Sequence, residues 1–229
     1  MSLGIAIPMY NEEGNCERVV QRCISHLRES KIPFYLAVVN NGSTDGTGLI
    51  LENLAQKEEC IIAVHLAQNQ GYGGGILAGM NNLLLKDPAI IGWTWGDGQV
   101  CSTVLPKLYT ECLRGSDIAK ACRIQRQDGY RRRLISKTYA LAIKLIGARS
   151  ADVNGCPKLF RTEVYRSLQL SSTDWFIDAE AILKAESQGY SIYQEPVIME
   201  PRAFGESKVK AHTLLEFTKN IALWNLKKR

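Results

Sequence analysis

The chain has 229 residues, 45% hydrophobic and 22% charged, which suits one globular domain with a sizeable core and argues against disorder. No apolar run approaches the roughly 18 residues that cross a bilayer, and the first residues carry no leader pattern. Net charge is +5, but eight cations lie between Arg123 and Arg149 against Asp128 alone, a patch that suits phosphates, acidic lipid or nucleic acid.

Taken in order, Leu3 to Pro8 reads as a buried first strand. Asn15 to Glu29 follows as a helix with Val19, Val20, Cys23, Ile24 and Leu27 on one stripe. Phe34 to Val39 is a second strand. Ser43 or Thr44 is placed to cap the next helix, which turns Leu49, Ile50 and Leu54 inward. Ile61 to Leu66 is a third strand, after which the Gly-rich stretch Asn69 to Gly75 leads into a helix through Leu85. Ala89 to Trp95 reads as a buried strand, Val104 to Leu113 as a helix and Asp117 to Cys122 as a strand. Tyr130 to Leu145 is expected as a basic helix, Lys158 to Phe160 as a short strand and Asp178 to Ser187 as a helix. Tyr190 to Ile198 is extended, with Pro196 marking an edge. Pro201 to Lys210 is a loop and His212 to Leu226 a last amphipathic helix. Strands alternating with helices imply an α/β fold with a mostly parallel sheet and right-handed crossovers. With no repeat or linker visible, a single domain over 1–229 is expected.

Seven scattered cysteines without a C-x-x-C pair favour a reducing compartment and core thiols, and His26, His65 and His212 lack zinc-ligand spacing. Four strand ends carry polar turns: Pro8 to Glu13, Asn40 to Asp45, Asn69 to Gly75 and Gly96 to Gln99. Asn and Gly are ordinary turn residues singly, but in this order they outline a nucleotide crevice beyond the carboxyl ends of the strands. Tyr10 is placed to lie against a base, Glu12 to accept a ribose or base hydrogen bond, and Asn41 to read the base edge. Asp97 is placed to hold a divalent cation on a diphosphate, since Mg2+ commonly takes one or two carboxylates plus substrate phosphates.

These residues resemble the family 2 glycosyltransferases of the GT-A (nucleotide-diphospho-sugar transferase) fold, and within them the dolichol-phosphate-mannose-synthase-like branch. The P-x-Y-N-E pattern is present as Pro8, Tyr10, Asn11 and Glu12, and D-D-G-S-x-D-x-T as Asn40 to Thr47. N-x-G-x-G is present as Asn69, Gly71 and Gly73, and D-x-D-G-Q as Trp95 to Gln99. Arg123, the segment Trp175 to Glu180 and the loop Arg202 to Lys208 match later motifs, so the likeness spans nearly the whole chain.

The resemblance implies an inverting hexosyltransferase that uses a nucleotide-sugar with Mg2+ or Mn2+. Residues 1–100 would form the nucleotide-sugar half and 101–229 the acceptor half. Pro8, Tyr10, Glu12, Asn41, Gly73 and Asp97 would bind the nucleotide, and Asp97 with Gln99 the metal. Arg123, Arg202, Ser207 and Lys208 would meet phosphates, where fixed cations stabilise the charge that grows on the leaving diphosphate. Trp95 replaces the first Asp of D-x-D, which removes one metal carboxylate and shifts the diphosphate toward Arg123 and Lys208. Asn41 stands where Asp is usual. Its amide offers both a donor and an acceptor, which matches uracil and predicts UDP-sugar over GDP-sugar.

Asp178 and Glu180 open a helix, where either could serve as general base toward an alcohol acceptor or could simply favour the helix N-terminus. A polyprenyl phosphate is already an anion and needs no strong base. Arg131, Arg132 and Arg133 with the last helix favour that acceptor over a saccharide, with peripheral contact at the inner, cytoplasmic face of a membrane, although packing of that helix onto the sheet accounts for its pattern as well. Two rival readings stand beside this one. Gly73 to Ala78 fits G-x-G-x-x-A of an NAD-binding fold, but the first strand lacks that fingerprint. A non-catalytic nucleotide-sugar-binding module fits the loss of an Asp at Trp95. Nucleic acid is not expected, because aromatic residues do not interleave with the basic ones.

Overall fold

A computed structural model of the chain describes residues 1–125, 143–144, 146–205, 220 and 224. The strands are β1 (Leu3–Met9), β2 (Phe34–Asn41), β3 (Ile61–Leu66), β4 (Ile90–Trp93), β5 (Ile118–Gln125), β6 (Lys158–Arg161) and β7 (Ile192–Ile198). They form one sheet in the order β3-β2-β1-β4-β6-β5-β7. Only β6 runs antiparallel to its neighbours β4 and β5, so the sheet is mostly parallel as expected. β7 is an edge, where Pro196 costs no ladder bond on the open side.

The helices are α1 (Cys16–Glu29), α2 (Thr47–Lys57), α3 (Gly71–Leu84), α4 (Val104–Leu113), α5 (Thr162–Leu168) and α6 (Ile177–Ser187). Strand alternation assigns the two faces. Ile5, Ile7 and Met9 of β1 pack with α1, α2 and α4 in one core. Ala6 points to the other, with α3, α5 and α6. Small residues draw α3 close: a Cβ on Gly79 would lie 2.8 Å from Ala6 Cβ. A third cluster joins Ile143, Ile146 and Val153 to Phe176 and Ile182. Among the described residues no helix is long and apolar enough to cross a membrane.

Four local expectations change. α2 is capped at Gly46, with Asp45 Oδ1 accepting the Thr47 N–H at 3.0 Å, not by Ser43 or Thr44. Leu49 is 70% exposed, and Leu51 takes its place in the core. The glycines of 71–75 belong to α3 itself instead of leading into it, and α5 was not foreseen. The helices expected over Tyr130 to Leu145 and His212 to Leu226 lie largely outside the described residues.

Candidate active site

β1 pairs with β2 on one side and β4 on the other, so the chain order reverses at β1, and in open α/β sheets ligands bind beyond the carboxyl ends of the strands at such a point. The loop after β1 is laced to the loop after β2. Asn11 N–H donates to Ser43 Oγ at 3.0 Å, Thr44 N–H to Asn11 Oδ1 at 2.8 Å, and Glu12 N–H to Thr47 Oγ1 at 2.8 Å. Asn11 takes φ +51°, a left-handed conformation that Asn tolerates better than most residues. The turn after β4 presses against β1, because a Cβ on Gly96 would sit 2.6 Å from Met9 Cγ and 2.9 Å from Pro8 O. Glycine at 96 therefore holds the Asp97 turn against the end of β1.

Asp97 closes its own turn, its Oδ1 accepting the Gln99 N–H at 3.0 Å, and Oδ2 faces Arg202 Nη1 at 3.9 Å. Arg202 Nη2 donates to Glu12 Oε1 in a close ion pair, and its Nε donates to Phe204 O at 2.8 Å. Asn15 Nδ2 steadies Glu12 Oε2 at 2.7 Å. Glu12, Asp97 and Arg202, far apart in sequence, thus meet as two carboxylates around one guanidinium. Burial raises the Asp97 carboxyl above its ordinary pKa, and the Gln99 N–H and the Arg202 charge offset that only in part. The Gln99 amide donates to Glu200 O at 3.4 Å, which ties this turn to the end of β7.

Among the described residues no group of three His, Cys, Asp or Glu forms a metal cage. Among the described residues the oxygens at this turn are the Asp97 carboxylate, whose Oδ2 has Arg202 Nη1 at 3.9 Å, and the Gln99 amide oxygen two residues on. That fits Mg2+ or Mn2+ taking its other ligands from a diphosphate and water, and it does not fit a cation held by protein alone.

Other expected residues have different work. Asn41 Nδ2 donates to Gly71 O at 2.8 Å and Asn69 Oδ1 at 3.3 Å, and its Oδ1 accepts the Gln70 N–H at 3.0 Å. These contacts tie Asn41 to the turn before α3, so a base would be read through this amide only by exchanging them. A Cβ on Gly73 would lie 2.2 Å from Ser172 O, so glycine at this position makes room for the 171–174 loop. Arg123 grips both oxygens of Asp152, at 2.7 and 2.6 Å, and lies over the Trp95 ring at 5.2 Å. Its charge is already balanced, which argues against a free phosphate ligand.

Asp178 and Glu180 are each 3% exposed. Asp178 Oδ1 takes Lys158 Nζ at 2.6 Å and Trp93 Nε1–H at 3.1 Å. Glu180 accepts the N–H groups of Ser171 and Ser172, the latter at 2.8 Å, and pairs with Lys184 at 2.7 Å. In this arrangement the two carboxylates brace the elements around them, Asp178 through Lys158 and Trp93, Glu180 through the 171–172 backbone and Lys184. Ser207, Lys208 and Arg131 to Arg133 lie outside the described residues.

Sequence reading missed Lys158, Lys120 and Asp152. Lys120 and Lys158 are fully buried, and burial with the neighbouring Lys158 ammonium pushes Lys120 down to about 8. The available signal was strand parity, which puts Lys158 on the same inward face as Phe160.

The family model for "Glycosyl transferase family 2" matches residues 4–169. The chain is 26% identical over 235 residues to a polyprenol monophosphomannose synthase of Mycolicibacterium smegmatis, covering 98% of this chain and 87% of that one. It is 29% identical over 156 residues to an undecaprenyl-phosphate 4-deoxy-4-formamido-L-arabinose transferase of Pectobacterium carotovorum, covering 68% of this chain and 47% of that one. Among solved structures, glucosyl-3-phosphoglycerate synthase from Mycobacterium tuberculosis, in complex with Mn2+, UDP and glucosyl-3-phosphoglycerate, superposes with a TM-score of 0.74. It is 17% identical, with 99% of this chain and 79% of that one covered, which shows a shared fold. The NAD-binding alternative falls here, since its G-x-G-x-x-A segment lies within α3, behind the edge strand β3 and not behind the central β1. With its GT-A arrangement and its matched family model, the chain belongs to glycosyl transferase family 2.

Proposed function

We propose that the chain moves a sugar from a nucleoside-diphosphate donor to a polyprenyl phosphate, with inversion at the anomeric carbon, at a membrane surface. The observation that carries this is the convergence of Glu12, Arg202 and Asp97 at the switch point beside β1. The nucleoside would lie along Pro8 and Tyr10, with Glu12 accepting a hydroxyl or base hydrogen bond. Asp97, with the Gln99 amide oxygen, would hold Mg2+ or Mn2+. Bound there, the cation supplies charge neutralisation for the diphosphate. Arg202 would turn from Glu12 toward the leaving diphosphate, whose charge grows as the glycosidic bond breaks.

The engaged state of Asp178 and Glu180 supports an acceptor that needs no base. A lipid phosphate attacks as an oxyanion, forming the new bond to the anomeric carbon opposite the departing diphosphate. The names of both curated relatives, with their polyprenol and undecaprenyl-phosphate acceptors, agree with this choice. The seven cations of 126–149 suit an anionic lipid surface at the cytoplasmic face, where seven free thiols would stay reduced. UDP is the first nucleotide to test, because the structural neighbour was crystallised with UDP and Mn2+.

The test is a transfer assay with UDP- and GDP-sugars, with and without Mn2+, on vesicles containing a polyprenyl phosphate. A glycosylated lipid phosphate that forms only with metal is the expected product. Donor binding without transfer to lipid phosphate, but with transfer to a saccharide, would contradict the acceptor assignment.

A further inference from the structure

Two lysines meet in the core of the acceptor half. In the sheet register Trp93 of β4 lies opposite Lys158 of β6, Lys158 opposite Lys120 of β5, and Lys120 opposite Gln194 of β7. Side chains in register on neighbouring strands share a face, and like charges set directly opposite one another repel. Both lysines are nevertheless fully buried. Lys158 has a counter-charge, its Nζ donating to Asp178 Oδ1 at 2.6 Å and to Gly155 O at 2.8 Å. Lys120 has no such partner among the described residues. Its Nζ donates to Asp152 O at 2.6 Å, Ala121 O at 3.2 Å and Gln194 Oε1 at 3.4 Å, all neutral oxygens.

The titratable groups around Lys120 do not supply the missing charge. Asp152, in the loop before β6, spends both carboxylate oxygens on Arg123. The Cys156 thiol, 4.0 Å from Lys158 Nζ, keeps its proton, because burial pushes it up to about 12. The other neighbour is the Cys122 thiol of the same strand. Arg123, Lys120 and Lys158 thus face only the carboxylates of Asp152 and Asp178, and one positive charge is left over beneath the carboxyl ends of β4 and β5. An apolar side chain at position 120 would be the more stable choice.

We propose that Lys120 is a specificity-determining residue for the acceptor: its uncompensated ammonium sets a positive potential under the acceptor side of the rim, which favours an acceptor carrying a phosphate over a neutral alcohol. This rests on the acceptor reading above. β5 lies three strands from β1, along which the nucleoside is placed, so the surplus charge sits on the far side of the donor. A charge buried in protein is weakly screened and is felt beyond contact distance.

The test is transfer to polyprenyl phosphate with Mn2+, from whichever of UDP-glucose and GDP-mannose is used, by the full chain and by Lys120→Met between pH 7 and pH 9. Met keeps the apolar stem and removes the charge. At pH 7 Lys120→Met raises the KM for polyprenyl phosphate about tenfold, the effect of one unit charge across roughly 10 Å of protein, and leaves kcat within about twofold. In the unaltered chain that KM climbs with pH, because burial and the Lys158 ammonium bring Lys120 down to about 8, and in Lys120→Met it is flat. Tm moves the opposite way. It is higher in Lys120→Met at pH 7, and the unaltered chain closes the gap at alkaline pH, where its unfolded form still holds a proton that the folded form has shed. A KM equal in both chains, or one that is flat with pH in the unaltered chain, overturns the assignment. So does a lower Tm in Lys120→Met with kcat and KM failing together, which marks a packing role alone. An unaltered chain that does not glycosylate polyprenyl phosphate overturns the acceptor reading, and this assignment with it.

Discussion

Asp152 shows how a single side chain can be misjudged from sequence. It lies 29 residues from Arg123 in an unremarkable stretch, yet it receives three hydrogen bonds from that residue. Burial alone would raise its carboxyl, but Arg123, with Lys120 nearby, holds it well below the usual carboxylate range. A depressed carboxylate contributes stability that is present above the ordinary Asp value, about 3.9, and drains away as pH falls below it. Asp152→Asn is therefore expected to cost about 3 kcal/mol near neutral pH, as for a broken buried pair. The gap in Tm between wild type and variant should close below about pH 4. A gap that stays constant down to pH 3 would remove the pair from the account. Asp97 was legible from its place after a strand, while Asp178 was legible only as an acid at a helix start. What defines Asp178 is Lys158 and Trp93, 20 and 85 residues away in the chain, and local pattern carries no record of such partners.

At the scale of elements, a continuous apolar run was enough for β1, and the helical stripe Val19, Val20, Cys23, Ile24 and Leu27 was enough for α1, all of them buried. Local pattern failed where tertiary contact overrides propensity. Glycines weaken a helix, so the 71–75 stretch read as a turn. The glycines are helical because the 171–174 loop crosses them, with the Gly74 N–H donating to Thr173 O at 2.9 Å. Glu180 holds the other side of that loop. Gly73→Ala should push the loop off α3, costing roughly 1–3 kcal/mol as overpacking does. Proteolysis should then become faster within 171–174, with far-UV circular dichroism unchanged. A variant that melts and digests like wild type would show that the close approach is not needed.

Across the whole molecule, two sheet faces with separate cores fix the ends of β1, β2 and β4 as one rigid rim. Three of the expected residues, Glu12, Asp97 and Arg202, assemble on that rim although 190 residues separate the first from the last. The motif order made this legible. The contacts that Asn41 and Gly73 make were not, because they join loops that are remote in sequence. The single-carboxylate site is the central claim, and calorimetric titration of UDP into wild type and Asp97→Asn, each with Mn2+ and with a chelator, tests it most directly. Wild type should bind at least tenfold more tightly with Mn2+ than with chelator, a difference of about 1.4 kcal/mol, and Asp97→Asn should bind equally weakly in both. Metal-enhanced binding that survives in Asp97→Asn would contradict the account.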